Sequence, residues 1–407
     1  MEYYIIIAAS VIIILSYLFN VVSSKSNIPS VLLLIALGIA FRELTGLFGV
    51  ERSAVQAVFT QISILEVLGT LGLILIVLEA SLELQITREK LRKILKSFSI
   101  ALLGLLICIF GIGTILYYSF EMGWITALIH AAPLSVLSSA IVIPSVTNLN
   151  EEDEEFHIYE STFSDILGIM AFYFLIQLAE PKSNISVLGD FSINLVVTIT
   201  TSVVLSYLLI YIFQNLETKI KLFLMIAVLL LLFAVGKLMH LSSLLIILVF
   251  GLVLNNYKLF FTGKLKKNLK PTIIKNIHET FLMITIESAF VIRTFFFVIF
   301  GFSISLSALL DIKVALISAL ILLLIYASRY LALLPFRHKN IKQAITIAPR
   351  GLITLLLFYS IPEQFLNGEF KPGILLFVII ITSLVMTSGL IGNKSKQKAE
   401  AELAEAE

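Results

Sequence analysis

The chain has 407 residues, 59% of them hydrophobic and only 14% charged, with a mean hydropathy of +1.03. Soluble domains average about 45–50% apolar and about 25% charged residues. A soluble globular fold is therefore excluded, and a polytopic membrane protein is expected. The net charge of +2 selects no partner, and no nucleic-acid partner is expected. The single cysteine, Cys108, excludes an intrachain disulfide framework and reads as a small apolar residue.

Residues 3–22 lack a basic leading region and a small-residue cleavage site, so they read as a first span and not as a cleaved signal. Apolar windows then predict thirteen spans, at 3–22, 29–46, 64–84, 95–119, 123–148, 156–180, 190–213, 219–237, 241–256, 278–304, 313–336, 341–361 and 372–392. With the N-terminus outside, inside loops hold 20 basic residues against 6 outside. That bias predicts an inner-membrane protein with its N-terminus out and its C-terminus cytoplasmic. The basic loop from Lys258 to Lys275 reads as a topology anchor facing anionic lipid head groups. Residues 393–407 form a short charged cytoplasmic tail.

Few polar groups sit deep in the spans. In chain order they are Glu79 on the third, and His130 with the run Ser135–Pro144 on the fifth. Glu160, Ser161, Thr162, Ser164 and Asp165 lie on the sixth, and Glu287 and Arg293 on the tenth. Pro349-Arg350-Gly351 lies on the twelfth. Arg329, near the cytoplasmic end of the eleventh, reads as a snorkelling residue. Asp165 and Arg350 each lie about ten residues into a span, which at about 1.5 Å per residue puts both near the midplane of a ~30 Å core. A carboxylate there costs about 2.5–3.5 kcal/mol on insertion scales. A chain that keeps one uses it to move protons or cations.

Pro133 and Pro144 bracket the serine run of the fifth span, and Pro349 precedes Arg350 on the twelfth. A proline removes a backbone bond and leaves carbonyls seeking polar partners. Broken helices at the midplane are how transporters bind ions. In the expected topology spans 4–6 and 11–13 run in opposite senses, so the two broken helices are mates in an inverted repeat. On the sixth span Glu160 and Ser164 share a face, whereas Glu160 and Asp165 differ by about 140°. The two acids therefore do different jobs. Arg350 is the obvious partner for one of them, because an unpaired deep guanidinium is costly and cannot deprotonate. If it takes Glu160, Asp165 stays free to exchange a proton for a cation.

Glu160-Ser-Thr-Phe-Ser-Asp165 resembles the E-S-x-x-N-D motif of sodium/proton exchangers in the monovalent cation/proton antiporter superfamily. Ile76-Val-Leu-Glu79-Ala80-Ser81-Leu82 resembles the family's L-F-E-A-G-L stretch. Pro349-Arg350-Gly351-Leu-Ile resembles its G-L-R-G motif. Leu137-Ser-Ser-Ala-Ile resembles the S-S-T-A-I of the related potassium-efflux branch. The resemblance implies an all-α fold of about thirteen helices, with inverted repeats and two broken helices crossing at the midplane. It implies a homodimer and a single transporter domain over 1–392, working by an elevator-like movement. The dimerisation part is expected at about 1–84 and 219–304, the core part at about 95–180 and 313–392, and a linker helix at about 190–213. It also implies that Asp165 binds cation and proton in turn, and that Glu160 and Arg350 form a structural ion pair. Two residues depart from the pattern: Ser164 stands where the family has Asn or Asp, and Ala140 stands where the exchangers have the Asp of the broken helix.

The function expected is therefore secondary antiport of a monovalent cation for H⁺ at Asp165, with Ser164, Ser138 and Ser139 as further ligands. Sodium is the first choice of cation, and lithium or potassium are the alternatives. No enzymatic activity and no cofactor are expected. The competing expectation is a potassium/proton antiporter, or a channel-like or sensing relative that keeps the fold without coupled exchange. Glu287, Glu79 and His157 are candidates for a cation funnel or for pH sensing. Histidine is singled out because its ordinary pKa is about 6.5.

Overall fold

A bilayer offers no water to backbone N–H and C=O groups, so a chain this apolar has to satisfy them within helices. The computed structural model is accordingly helical. It describes residues 2–26, 28–47, 64–86, 89–147, 149–179, 187–216, 221–238, 243–303, 311–336 and 340–406. Arg52, Arg88, Lys182, Lys219, Arg337 and Lys339, which carry part of the expected charge asymmetry, lie outside the described residues.

The helices are α1 (Glu2–Ser26), α2 (Ser30–Leu47), α3 (Ile64–Glu83), α4 (Leu91–Phe120), α5 (Trp124–Ser135), α6 (Ser139–Val146), α7 (Glu151–Ala179) and α8 (Val187–Asn215). They continue with α9 (Lys221–Leu238), α10 (Ser243–Asn255), α11 (Tyr257–Phe260), α12 (Gly263–Lys267), α13 (Pro271–Ser303), α14 (Ile312–Leu333), α15 (Ile341–Thr346), α16 (Leu352–Tyr359) and α17 (Gly373–Ala406). Among the described residues, 8 helical segments are long and apolar enough to cross a membrane, and the 10–17-residue helices at Phe223–Gly236 and Ser243–Asn255 are apolar but shorter. Among the described residues, each of the thirteen expected stretches overlaps one helix or, for the fifth and twelfth, a broken pair.

The chain forms two compact units. The first comprises Met1–Gly69, Lys96–Gly168 and Val291–Glu407, and holds both broken pairs. Within it α14 is N-capped by Asp311, whose side chain accepts from the Lys313 N–H at 2.9 Å and pairs with Lys371, just ahead of α17. The Lys371 ammonium holds the Asp311 carboxyl below the usual carboxylate range. Ser16 of α1 and Thr294 of α13 meet hydroxyl to hydroxyl at 2.6 Å.

The second unit comprises Thr70–Leu95 and Ile169–Phe290. Its polar contacts close a helix end. The last carbonyls of α3 have no partner within the helix. His278 Nε2 donates to Leu82 O at 2.9 Å, and Asn256 Nδ2 donates to Leu84 O at 2.8 Å. Asn256 Oδ1 in turn accepts from the Ile86 N–H at 2.7 Å.

Candidate functional site

The fifth expected span breaks between α5 and α6. Val136 and Ser138 are extended, at φ −79°, ψ 132° and φ −88°, ψ 106°. The twelfth breaks between α15 and α16, over residues 347–351. The breaks bond to each other: the Ser138 N–H donates to Pro349 O at 3.0 Å. Each unwound segment thus satisfies backbone groups the other has freed, which non-helical chain at membrane depth requires.

Two glycines let the backbones come this close. A Cβ on Gly351 would lie 2.6 Å from both Ser138 Oγ and Ile141 Cδ1, and one on Gly168 of α7 would lie 2.2 Å from Val136 Cγ2. Gly351→Ala is expected to destabilise the detergent-solubilised protein by about 1–3 kcal/mol through overpacking. A thermal unfolding midpoint equal to that of the parent protein would show that the crossing is looser than described.

Asp165 is 3% exposed and stands over the start of α6, where its Oδ2 accepts from the Ser139 hydroxyl. The first N–H groups of a helix carry partial positive charge, so a carboxylate is well placed there. Asp165 Oδ1 is buried and has no hydrogen-bond partner among the described residues. Ser138 and Ser139 are both buried at this point, with Ser139 in contact with the carboxylate.

Ser164, expected as a ligand, also meets the broken backbone. Its hydroxyl oxygen accepts from the Leu137 N–H at 2.9 Å and so satisfies a donor freed by the break. Ser164→Ala would leave that N–H buried without a partner, at a cost of about 1–3 kcal/mol. A lowered thermal midpoint is the expected result, and an unchanged one would count against the capping role.

The expected Glu160–Arg350 ion pair does not form. Glu160 is held by Arg329, whose Nη1 and Nη2 both donate to the carboxylate, Nη2 to Oε2 at 2.8 Å. Arg329 Nε also donates to Ala344 O at 2.8 Å. Arg329 is therefore no snorkelling residue: it is 6% exposed, and its fork is spent on a buried bidentate contact. It stands seventeen residues after the start of α14 and faces α7 and the end of α15.

Arg350 has no carboxylate partner among the described residues. Its Nε donates to Leu134 O at 2.7 Å and its Nη1 to Ala348 O at 3.2 Å. Its own N–H donates to Thr382 Oγ1 at 3.0 Å. The guanidinium thus sits on the carbonyl end of α5 and on the unwound chain after α15, where helix C-termini carry partial negative charge. Its Nη2 also lies 3.8 Å from Cys108 Sγ, which contacts Ser328 Oγ at 2.8 Å. A cavity beside the crossing is lined in part by Cys108, Ser135, Glu160, Ser164, Arg329 and Arg350; Asp165 is not among its lining residues. Glu160 and Ser164 share this face and Asp165 does not, in keeping with the helical angle.

His157 is buried one turn before Glu160, its Nδ1 3.5 Å from Glu160 Oε2. Glu79 is half-buried on α3 and Glu287 is exposed on α13, both in the second unit. Sequence reasoning missed Arg329, Thr382 and the Cys108–Ser328 contact as parts of the site. Residue counting put Arg329 near the end of its span and so gave no signal for them.

The helical fold of this chain is similar to that of solved structures. The structure of the sodium proton antiporter MjNhaP1 from Methanocaldococcus jannaschii at pH 8 matches with a TM-score of 0.71 and 20% identity over 96% of each chain. An electron-microscopy structure of the same antiporter matches with a TM-score of 0.64 and 19% identity over 97% of this chain and 96% of that one. At these identities the likeness is one of fold. A comparison with curated proteins finds no match. The transmembrane sodium/hydrogen exchanger family matches residues 9–391, nearly the whole chain and all of the crossing. This multi-pass membrane protein belongs to the sodium/hydrogen exchanger family.

Proposed function

We propose that this chain exchanges a monovalent cation, sodium first, for a proton across the inner membrane, with cation and proton competing for Asp165. One observation carries the reading. Of the two carboxylates on the membrane part of α7, Glu160 is committed to Arg329, while Asp165 keeps a buried oxygen without a partner among the described residues. A buried polar atom left in this way marks a place for an ion, a proton or a water. Ser139 completes one side of the site, and Ser138 and Ser164 hold the broken backbone around it.

One carboxylate can hold one proton or one monovalent cation, which favours one-for-one electroneutral exchange. The chain works as a homodimer, with a dimerisation part at about 1–84 and 219–304 and a core part at about 95–180 and 313–392 that carries the ion. The site supports this core assignment, because Ser138, Ser139, Asp165, Arg329 and Arg350 all fall within it. The N-terminus lies outside, and the basic cytoplasmic loops face anionic lipid.

The test is proton flux in proteoliposomes under imposed sodium, lithium and potassium gradients. Sodium-driven proton movement of opposite sense supports the reading. Ala140, where exchangers carry an Asp, favours a second one: potassium/proton exchange, or a channel-like relative. Potassium-driven proton flux alone, or conductance that scales with voltage without proton movement, would establish it instead.

A further inference from the structure

Arg350 carries a charge that no carboxylate balances among the described residues. It is 2% exposed, and a guanidinium buried without a counter-charge is costly. Carbonyls of Leu134 and Ala348 take its Nε and Nη1, and its Nη2 meets the Cys108 thiol at 3.8 Å. A guanidinium has five N–H groups, so two of them have no acceptor among the described residues.

The cavity beside the crossing collects further donors. Arg350 and Arg329 both line it, and Glu160 is the one carboxylate among its lining residues. Both Glu160 oxygens are held by Arg329, so that pair is closed and the charge of Arg350 is left over. Ser164 lines the cavity too: its oxygen accepts from the Leu137 N–H, and its own O–H has no acceptor among the described residues. Ser135 and Ser328 are spent on the carbonyls of Ala131 and Ile325, each at 2.8 Å. The wall therefore offers spare donors, net positive charge and no spare carboxylate. A cation meets repulsion there. A water can take the donors without balancing the charge, whereas an anion does both. The cavity measures about 20 Å³, and one water needs about 10–15 Å³, so a monatomic ion has room.

We propose that this cavity is a halide site, in which a chloride ion accepts from the spare N–H groups of Arg350 and from the Ser164 hydroxyl. It is distinct from the cation site, because Asp165 is not among the residues that line it. The bound anion balances the guanidinium at the point where α5 ends and the chain before α16 is unwound. It thereby steadies the crossing that carries Asp165, and it does not rest on exchange at that residue.

The test uses the purified full chain in detergent at fixed sodium, with chloride exchanged for the bulkier gluconate. Chloride is expected to raise the thermal midpoint by about 2–4 °C, saturably. Equilibrium dialysis with radiolabelled chloride should find one ion per chain, displaced by bromide. Ser164→Ala should weaken that binding about tenfold. Cys108→Asp sets a carboxylate beside Arg350 Nη2 and should abolish it, whereas Cys108→Ser should bind as the parent does. Equal midpoints in the two salts with no bound label would mean water alone and overturn the proposal. Binding at parent affinity in Cys108→Asp would overturn it too. If the aspartate variant does not fold, the parent's stoichiometry and the Ser164→Ala affinity decide: no saturable binding, or unchanged affinity, ends the proposal. None of these readouts involves ion flux, so exchange at Asp165 succeeds or fails independently of the halide site.

Discussion

Asp165→Asn reduces sodium-driven proton flux in proteoliposomes to the level of protein-free vesicles, while the protein still folds and inserts. The amide keeps the shape of the side chain and can still meet Ser139, but it can neither release a proton nor carry a charge for the cation. The change falls on a group that is already without a partner at one oxygen. Loss of stability is therefore expected to be small, and loss of exchange complete. A variant that retains coupled flux would move the exchanging group elsewhere, and Glu160, held by both arms of a guanidinium, is the poorest replacement among the described residues.

The second large effect is on stability. Glu160→Gln strips the charge partner from Arg329 and leaves a guanidinium that cannot deprotonate in a site only 6% exposed. Breaking a buried pair from one side costs about 3–5 kcal/mol. Replacing both partners by apolar residues of similar volume is often neutral or stabilising. Glu160→Leu/Arg329→Met is therefore expected to recover most of the thermal midpoint lost in Glu160→Gln. Pairing Glu160→Leu with Arg350→Met should not, because Arg350 serves the carbonyls of Leu134 and Ala348 and owes nothing to Glu160. Rescue by Arg350→Met and not by Arg329→Met would restore the pairing that the motifs alone implied.

That difference shows what the sequence could and could not carry. Hydropathy placed the helices because bilayer thickness sets one length scale for every span. The helical angle between Glu160 and Asp165 correctly sent the two acids to different surroundings. The angle could not say which neighbouring helix each face would meet. Arg350 was the deepest arginine by residue counting, and so it looked like the partner for an acid. Unwound chain and helix ends, invisible to a hydropathy window, supplied it with carbonyls instead.

The prolines behaved similarly. Pro133 and Pro144 lie inside α5 and α6, and the break falls between them at Val136–Ser138. They marked the span that breaks without marking the residues that unwind. What fixes those residues is tertiary: the Ser138–Pro349 bond and the Ser164 hydroxyl on Leu137. Ser164 precedes Asp165 in the motif, but at 100° per residue the two side chains point apart, and the bond from Ser164 to the freed Leu137 N–H depends on the break itself.

Exchange by this chain depends on competition between cation and proton for one carboxyl. The most direct measurement is proton release on sodium addition to the purified, detergent-solubilised protein, followed by calorimetry in buffers of different ionisation enthalpy. Release of a proton by the parent protein, and none by Asp165→Asn, is the predicted result. Sodium binding without proton release, or equal release from Asp165→Asn, would contradict it.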